Sequence, residues 1–283
     1  GNIATNAGGL LCAKYGVTRE AVRGLDVVLA DGTLLRTGRR TVKGVTGLDL
    51  TALLIGSEGT LGVIVGATLA LTPIPAGEVA TIAAYFPSIE QAAAASAAIT
   101  AARLRPAIME LVDPVALAAI LRHLGMRDRA PGSAHLLVQT DGPAAAAEAT
   151  AALAIITERG GHATLTVDPD EGEALLAVRR AMHPAMETLG PVLIEDVAVP
   201  RSRLPEMFAA IRAIADRCGM LIPTVAHAGD GNLHPNLVYE GEEVPDRVWR
   251  AAGELFEAAL ALGGTLTGEH GVGTLKRRWL ADE

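Results

Sequence analysis

HAGDGNLHPN, residues 227–236, is the stretch from which the rest of the chain can be read. It holds two histidines, His227 and His234, seven positions apart, a spacing that a helix would place on one face. Gly229, Asp230, Gly231 and Asn232 lie between them and argue against a helix. The alternative is a hairpin turning at Asp230-Gly231, a pair suited to a two-residue type I′ turn. Counting outward from that turn sets His227 opposite His234, with Cβ atoms about 4.5–5.5 Å apart, close enough to share a metal ion. A second stretch, GEHGVG at 268–273, adds a carboxylate, Glu269, and a third imidazole, His270. Adjacent strand residues point to opposite faces, so these two serve one site only on an irregular backbone, which the three glycines permit. Two histidines and one glutamate with coordination positions left open make a catalytic rather than a structural metal set. His123, His135, His162 and His183 have no such company and are assigned to core or surface.

Working outward, the chain has 283 residues, half of them hydrophobic and few of them aromatic. That is enough for one large or two ordinary domains with an aliphatic core. A net charge of -8 argues against nucleic acid as a partner. Cys12 and Cys218 are too few for a disulfide framework, which points to a reducing, cytoplasmic setting. No apolar run reaches the ~18 residues of a transmembrane segment. The opening GNIATNAGG has neither Met nor a basic leader, and TLKRRWLADE stops where a helix could continue, so the chain reads as a fragment cut at both ends.

The first 77 residues contain a clear hairpin, LDVVLADGTLLRT at 25–37, a short helix at 48–55, and the apolar strand VIVGATLALTPIP. Pro73 and Pro75 end that strand, and a domain boundary is placed near 77, giving domains 1–77 and 78–283. Beyond it strands and helices alternate. Strands are expected in EVATIAAYF, IMELVD, HLLVQTD, HATLTV, VLIEDVAVP and LIPTVAH, and helices over 88–103, 114–124, 143–159, 170–188 and 201–217 and within VPDRVWRAAGELFEAALALGG. The order predicts an α+β fold, helices on one face of an antiparallel sheet, with a parallel α/β sheet as the alternative. Two glycine-rich loops, GNIATNAGG and GSEGTLG at 56–62, lack the dinucleotide and P-loop spacings but offer bare backbone N–H groups suited to a pyrophosphate.

Taken in order, GNIATNAGG, TGLDLTALLIGSEGTLGVI, EDVAVP, HAGDGNLHPN and GEHGVGTLKRRWL resemble the FAD-linked oxidases of the vanillyl-alcohol-oxidase type. The resemblance is strongest to the group holding the glycolate oxidase D-subunit, D-lactate dehydrogenase and D-2-hydroxyglutarate dehydrogenase. It implies that 1–77 is the C-terminal part of an FAD-binding domain and 78–283 a cap that holds the substrate. It also implies a first flavin half-domain before Gly1 and a closing segment after the basic run at 276–278. This chain alone is then expected to retain little FAD.

Residue by residue, the resemblance makes His227, His234 and Glu269 ligands of a divalent metal, Zn²⁺ or Mn²⁺, and His270 the general base. Asn236 becomes a substrate contact, and Arg179, rather than its neighbour Arg180, grips the substrate carboxylate. Asn6, Gly8, Gly9, Gly56, Glu58, Gly59 and Ile64 match flavin-facing loops. No lysine lies between Lys43 and Lys276, so the selectivity of the dicarboxylate-specific members does not transfer. The expected reaction is FAD-dependent oxidation of a small D-2-hydroxy acid to the 2-oxo acid, with an electron-acceptor protein or iron–sulfur subunit as partner. The alternatives are a metal hydrolase using the His₂Glu set to activate water, and an inactive cap fragment.

Overall fold

In a computed structural model, residues 1–126 and 132–283 are described. The chain begins with three one-turn helices, α1 (Asn2–Thr5), α2 (Cys12–Tyr15) and α3 (Thr18–Ala21). Strands β1 (Val22–Val28) and β2 (Leu34–Gly38) form the expected hairpin, helix α4 (Leu50–Leu54) follows, and β3 (Val63–Leu69) pairs with β1. The result is a three-stranded antiparallel sheet ordered β2-β1-β3, with Leu25, Val27, Leu54 and Ile55 as its small core.

From Ala80 onward the chain builds a second, larger sheet. Its elements are β4 (Ala80–Phe86), α5 (Ile89–Ala101), β5 (Ile108–Val112), α6 (Pro114–His123), β6 (Ala134–Thr140), α7 (Ala145–Glu158) and β7 (His162–Thr166). They continue with α8 (Pro169–Arg180), α9 (Met182–Glu187), β8 (Val192–Ile194), β9 (Val197–Ala198), α10 (Leu204–Cys218), β10 (Thr224–His227), β11 (Asn232–Val238) and α11 (Asp246–Ala261). The strand order is β7-β4-β6-β5-β10-β11-β8, with β9 also on β11, and every pairing is antiparallel. The α+β expectation holds, and the parallel alternative does not.

Local chemistry explains where elements start and stop. Ser88, Asp113 and Asp168 cap α5, α6 and α8 by accepting backbone N–H bonds in the first turn, and Gly219 ends α10 in the left-handed conformation. The single helix expected over 170–188 is two, divided at Ala181. Pro184 has no N–H to bond back to Arg180, and it is tolerated in the first turn of a new helix. VLIEDVAVP is likewise interrupted. Ile194 pairs with Asn236 and Ala198 with Asn232, the same register on both sides of a gap. Pro235 lies in that gap and has no N–H to give to the ladder.

Helices on one face describes only half of the packing. Helices α5, α7, α10 and α11 cover one face with the main aliphatic core, Ile82, Phe86, Met109, Leu111, Leu136 and Val138 among it. On the other face α6, α8 and α9 pack over Val112, Val225, Ala83 and Leu137. The strands are apolar on both sides, as in ATIAAYF, rather than alternating, and both faces must therefore be covered. The polar residues Glu110, His227, His234 and Asn236 lie on the neighbouring strands β5, β10 and β11.

Candidate active site

The hairpin from β10 to β11 carries both histidines, in a register two residues from the expected one. His227 pairs with Asn232 and Val225 with His234, so four residues, not two, form the loop. The amides of Asp230 and Gly231 both bond to the His227 carbonyl, and Gly231 takes a positive φ of 93°. Gly229 lies against the Ala13 side chain, where a Cβ would come within 2.4 Å, and the amides of Ala228 and Gly229 both bond to the Met109 carbonyl. Shifting the count by two keeps side-chain parity. The histidines are therefore diagonal rather than opposite, but on the same face, with ring centroids 5.0 Å apart.

Glu269 closes the group. Its Oε1 lies 3.6 Å from His227 Nε2 and its Oε2 3.7 Å from His234 Nε2. Four ligands at Zn²⁺ bond lengths stand about 3.3 Å apart in a tetrahedron, so this set fits one ion after small movements. A second converging set is Asp196, His234 and His270. Asp196 is a poor ligand, because its two oxygens are already engaged. They accept from the amides of Glu269 and His270, from Asn232 Nδ2 and from Thr267 Oγ1. Burial opposes its charge, but Lys276 and the two amides outweigh that and hold its pKa at about 2. Asp196 thus shapes the irregular 267–271 backbone that lets Glu269 and His270 serve one place. Lys276 is buried and donates to the carbonyls of Asp196 and Leu266.

The two histidines have opposite electrostatics. Burial works against an imidazolium at His227, yet Glu110 and Glu269 outweigh it and raise its pKa to about 10. Burial and then the cationic His227 push His234 down to about 3. Glu110 and Glu269 thus favour a proton on His227 and not on His234. Glu110 is fully buried on β5 directly across from His227, with Oε1 2.7 Å from His227 Nδ1 and Oε2 2.7 Å from Arg179 Nε.

Arg179, in the last turn of α8, turns inward to this site, while Arg180 pairs with Glu173 on the surface. A cavity of about 190 Å³ is lined by Arg179, Met182, Ile194, Val225, His234, Asn236, Glu269 and His270. Asn236 is buried; its Nδ2 donates to the carbonyls of Pro223 and His234, and its Oδ1 has no partner. His270 is exposed, with its ring stacked on His234 at 5.1 Å.

The glycine loops meet the site at two points. A Cβ on Gly8 would sit 2.7 Å from Glu269 Oε1, and Glu58 accepts from the amides of Val272 and Gly273, both at 2.7 Å. Asn6 caps α1 in the left-handed conformation, with Gly56 against its Cβ. Gly9 and Gly59 have positive φ, and a Cβ on either would meet nothing within 4 Å. Ile64 is half-buried on β3, packed on the small core. Two residues central to the geometry, Glu110 and Asp196, have no role in the sequence reading. The one signal for Glu110 is a carboxylate in the middle of the apolar strand IMELVD.

The domain family described as FAD linked oxidases, C-terminal domain, matches residues 76–283, and an FAD binding domain family matches residues 1–38. The chain is 41% identical to glycolate oxidase subunit GlcD of Bacillus subtilis (strain 168), covering 99% of this chain and 61% of that protein. It is 35% identical to D-lactate dehydrogenase of Archaeoglobus fulgidus, covering 98% of this chain and 61% of that protein. The chain thus spans about three fifths of the length of these curated relatives. The crystal structure of p-cresol methylhydroxylase with substrate bound superposes with a TM-score of 0.70 at 14% identity, over 95% of this chain and 61% of that one, a likeness of fold. The class so defined is the proteins built from FAD-linked oxidase domains. Within it, the chain belongs to the FAD linked oxidases, C-terminal domain family. Among the described residues no helix is long and apolar enough to cross a membrane.

Proposed function

We propose that the full-length protein oxidises a small D-2-hydroxy acid of the glycolate or D-lactate type to its 2-oxo acid. The observation that carries this is the convergence of His227, His234 and Glu269 on one point, beside Arg179, Asn236 and His270 in one small cavity. The names of the relatives, a glycolate oxidase subunit and a D-lactate dehydrogenase, support the same substrate class. When bound, FAD supplies the acceptor for the C2 hydride, and a divalent ion supplies charge that eases loss of the hydroxyl proton.

The chain's own residues do the rest. His227 and His234 through Nε2, with Glu269, hold the ion. Arg179 has Nε committed to Glu110, and its terminal N–H groups take the substrate carboxylate, which fixes the face of C2 that is presented. Asn236 lines the same cavity with its Oδ1 unpartnered and serves as a substrate contact. His270 accepts the hydroxyl proton from the open side of the cavity. Met182, Ile194 and Val225 form an apolar wall with room for a small substituent and no lysine for a second carboxylate. Residues 1–77 serve as flavin side, with Asn6, Gly8, Gly9, Gly56, Glu58, Gly59 and Ile64 along it, and 78–283 serve as cap. An electron-acceptor protein or iron–sulfur subunit and a cytoplasmic location complete the proposal.

The test is product analysis with the full-length protein, a dye acceptor, and glycolate and both enantiomers of lactate. The expected result is glyoxylate or pyruvate, from the D-enantiomer only, lost on chelation and restored by Zn²⁺ or Mn²⁺. Turnover unaffected by complete metal removal would overturn the metal's part. Preference for L-lactate would overturn the assigned orientation.

A further inference from the structure

We propose that Glu110 is a positioning residue that fixes His227 as a metal ligand and Arg179 as the carboxylate grip at the same time. This rests on the functional reading above and deepens it. Glu110 is 0% exposed, in a strand whose neighbours Ile108, Met109, Leu111 and Val112 are all apolar. A carboxylate is costly in such surroundings unless both oxygens are engaged. Here they are engaged by different residues, His227 Nδ1 at 2.7 Å and Arg179 Nε at 2.7 Å.

Each contact removes one freedom that the site cannot tolerate. A carboxylate only accepts, so the His227 ring must carry its proton on Nδ1 and leave Nε2 to the side where Glu269 and His234 converge. A carboxylate behind a metal-binding histidine is the usual device for fixing ring orientation and ligand strength. By taking Nε, the same carboxylate also sets the plane of the Arg179 guanidinium and leaves its two outer nitrogens free for a bidentate partner. The β5–β10 register places Glu110 opposite His227, and α8 brings Arg179 to the other oxygen. Metal ligand and substrate grip thus share one rigid anchor.

The test uses the full-length protein and the variants Glu110→Gln and Asp113→Asn, with zinc affinity measured by competition with a chromophoric chelator. The glutamine amide has one acceptor and one donor, so it satisfies only one of the two N–H donors. Glu110→Gln is expected to weaken zinc about 10- to 100-fold. Asp113 is the next buried carboxylate along the chain, but it accepts from the α6 first turn and from the Thr224 amide, and Asp113→Asn is expected to lose stability while keeping zinc affinity. Zinc affinity within about threefold of wild type in Glu110→Gln would overturn this inference and leave the metal site standing. Equal zinc loss in both variants would also overturn it, as damage to the strand and not positioning. Absence of zinc binding by wild type would overturn the metal site and this inference together. If Glu110→Gln does not fold, ring ¹⁵N shifts of zinc-loaded wild type decide. A protonated Nδ1 and zinc on Nε2 of His227 are expected, and the reverse assignment overturns the proposal.

Discussion

Binding of one divalent ion should release one proton, and the number should hold between pH 7 and pH 8. The proton comes from His227, whose pKa stands at about 10 because Glu110 and Glu269 outweigh burial. The metal takes Nε2, so that proton must leave, and the apparent affinity should rise about tenfold per pH unit until the pH reaches that pKa. His234 contributes nothing, because burial and the charge on His227 keep it neutral, with a pKa of about 3. Glu269 contributes nothing either, since its hydrogen bond and attraction to His227 outweigh its burial and keep it ionised. Two histidines at the ordinary value of about 6.5 would behave otherwise, releasing about 0.5 proton in all at pH 7 and below about 0.1 at pH 8. The assay is titration calorimetry of metal-free protein with Zn²⁺ in buffers of different ionisation enthalpy. About one proton at both pH values is expected. A value that falls toward zero at pH 8 would refute the paired-carboxylate account of His227.

Three substitutions separate the parts. Glu269→Ala should lose metal and turnover together, whereas His270→Ala should keep metal and lose kcat by about 10²–10⁴-fold, checked by elemental analysis beside steady-state kinetics. Gly8→Ala should weaken zinc binding with little change in Tm, because Gly8 has an ordinary φ and its new Cβ meets only the movable end of Glu269. Asp196→Asn strips the charge that Lys276 and two loop amides face, and should cost about 3–5 kcal/mol in denaturant melts together with loss of zinc.

Much of this site was legible because it is local. His227 and His234 share a short hairpin, and parity puts them on one face whether the loop holds two residues or four. The actual register was not legible, since the loop residues Ala228 and Gly229 bond through their amides to Met109, a residue of a distant strand. Glu110 and Asp196 escaped for the same reason. Glu110 lies 117 positions from His227, and Asp196 lies 73 and 74 positions from the amides it holds. An acid inside the apolar run IMELV and the pair in VLIEDVAVP were the traces, and neither names its partner. The second helical layer was hidden because Ala-rich strands such as ATIAAYF do not alternate and so do not tell one covered face from two.

The most direct test of the central claim is anaerobic reduction of the flavin in the full-length protein by a single turnover of D-lactate or glycolate. The expected result is bleaching of the visible flavin absorbance by one substrate equivalent, slowed by deuterium at C2 and lost in His270→Ala that still holds its metal. A full-length protein that carries no flavin, or whose flavin no small 2-hydroxy acid reduces, would contradict the account.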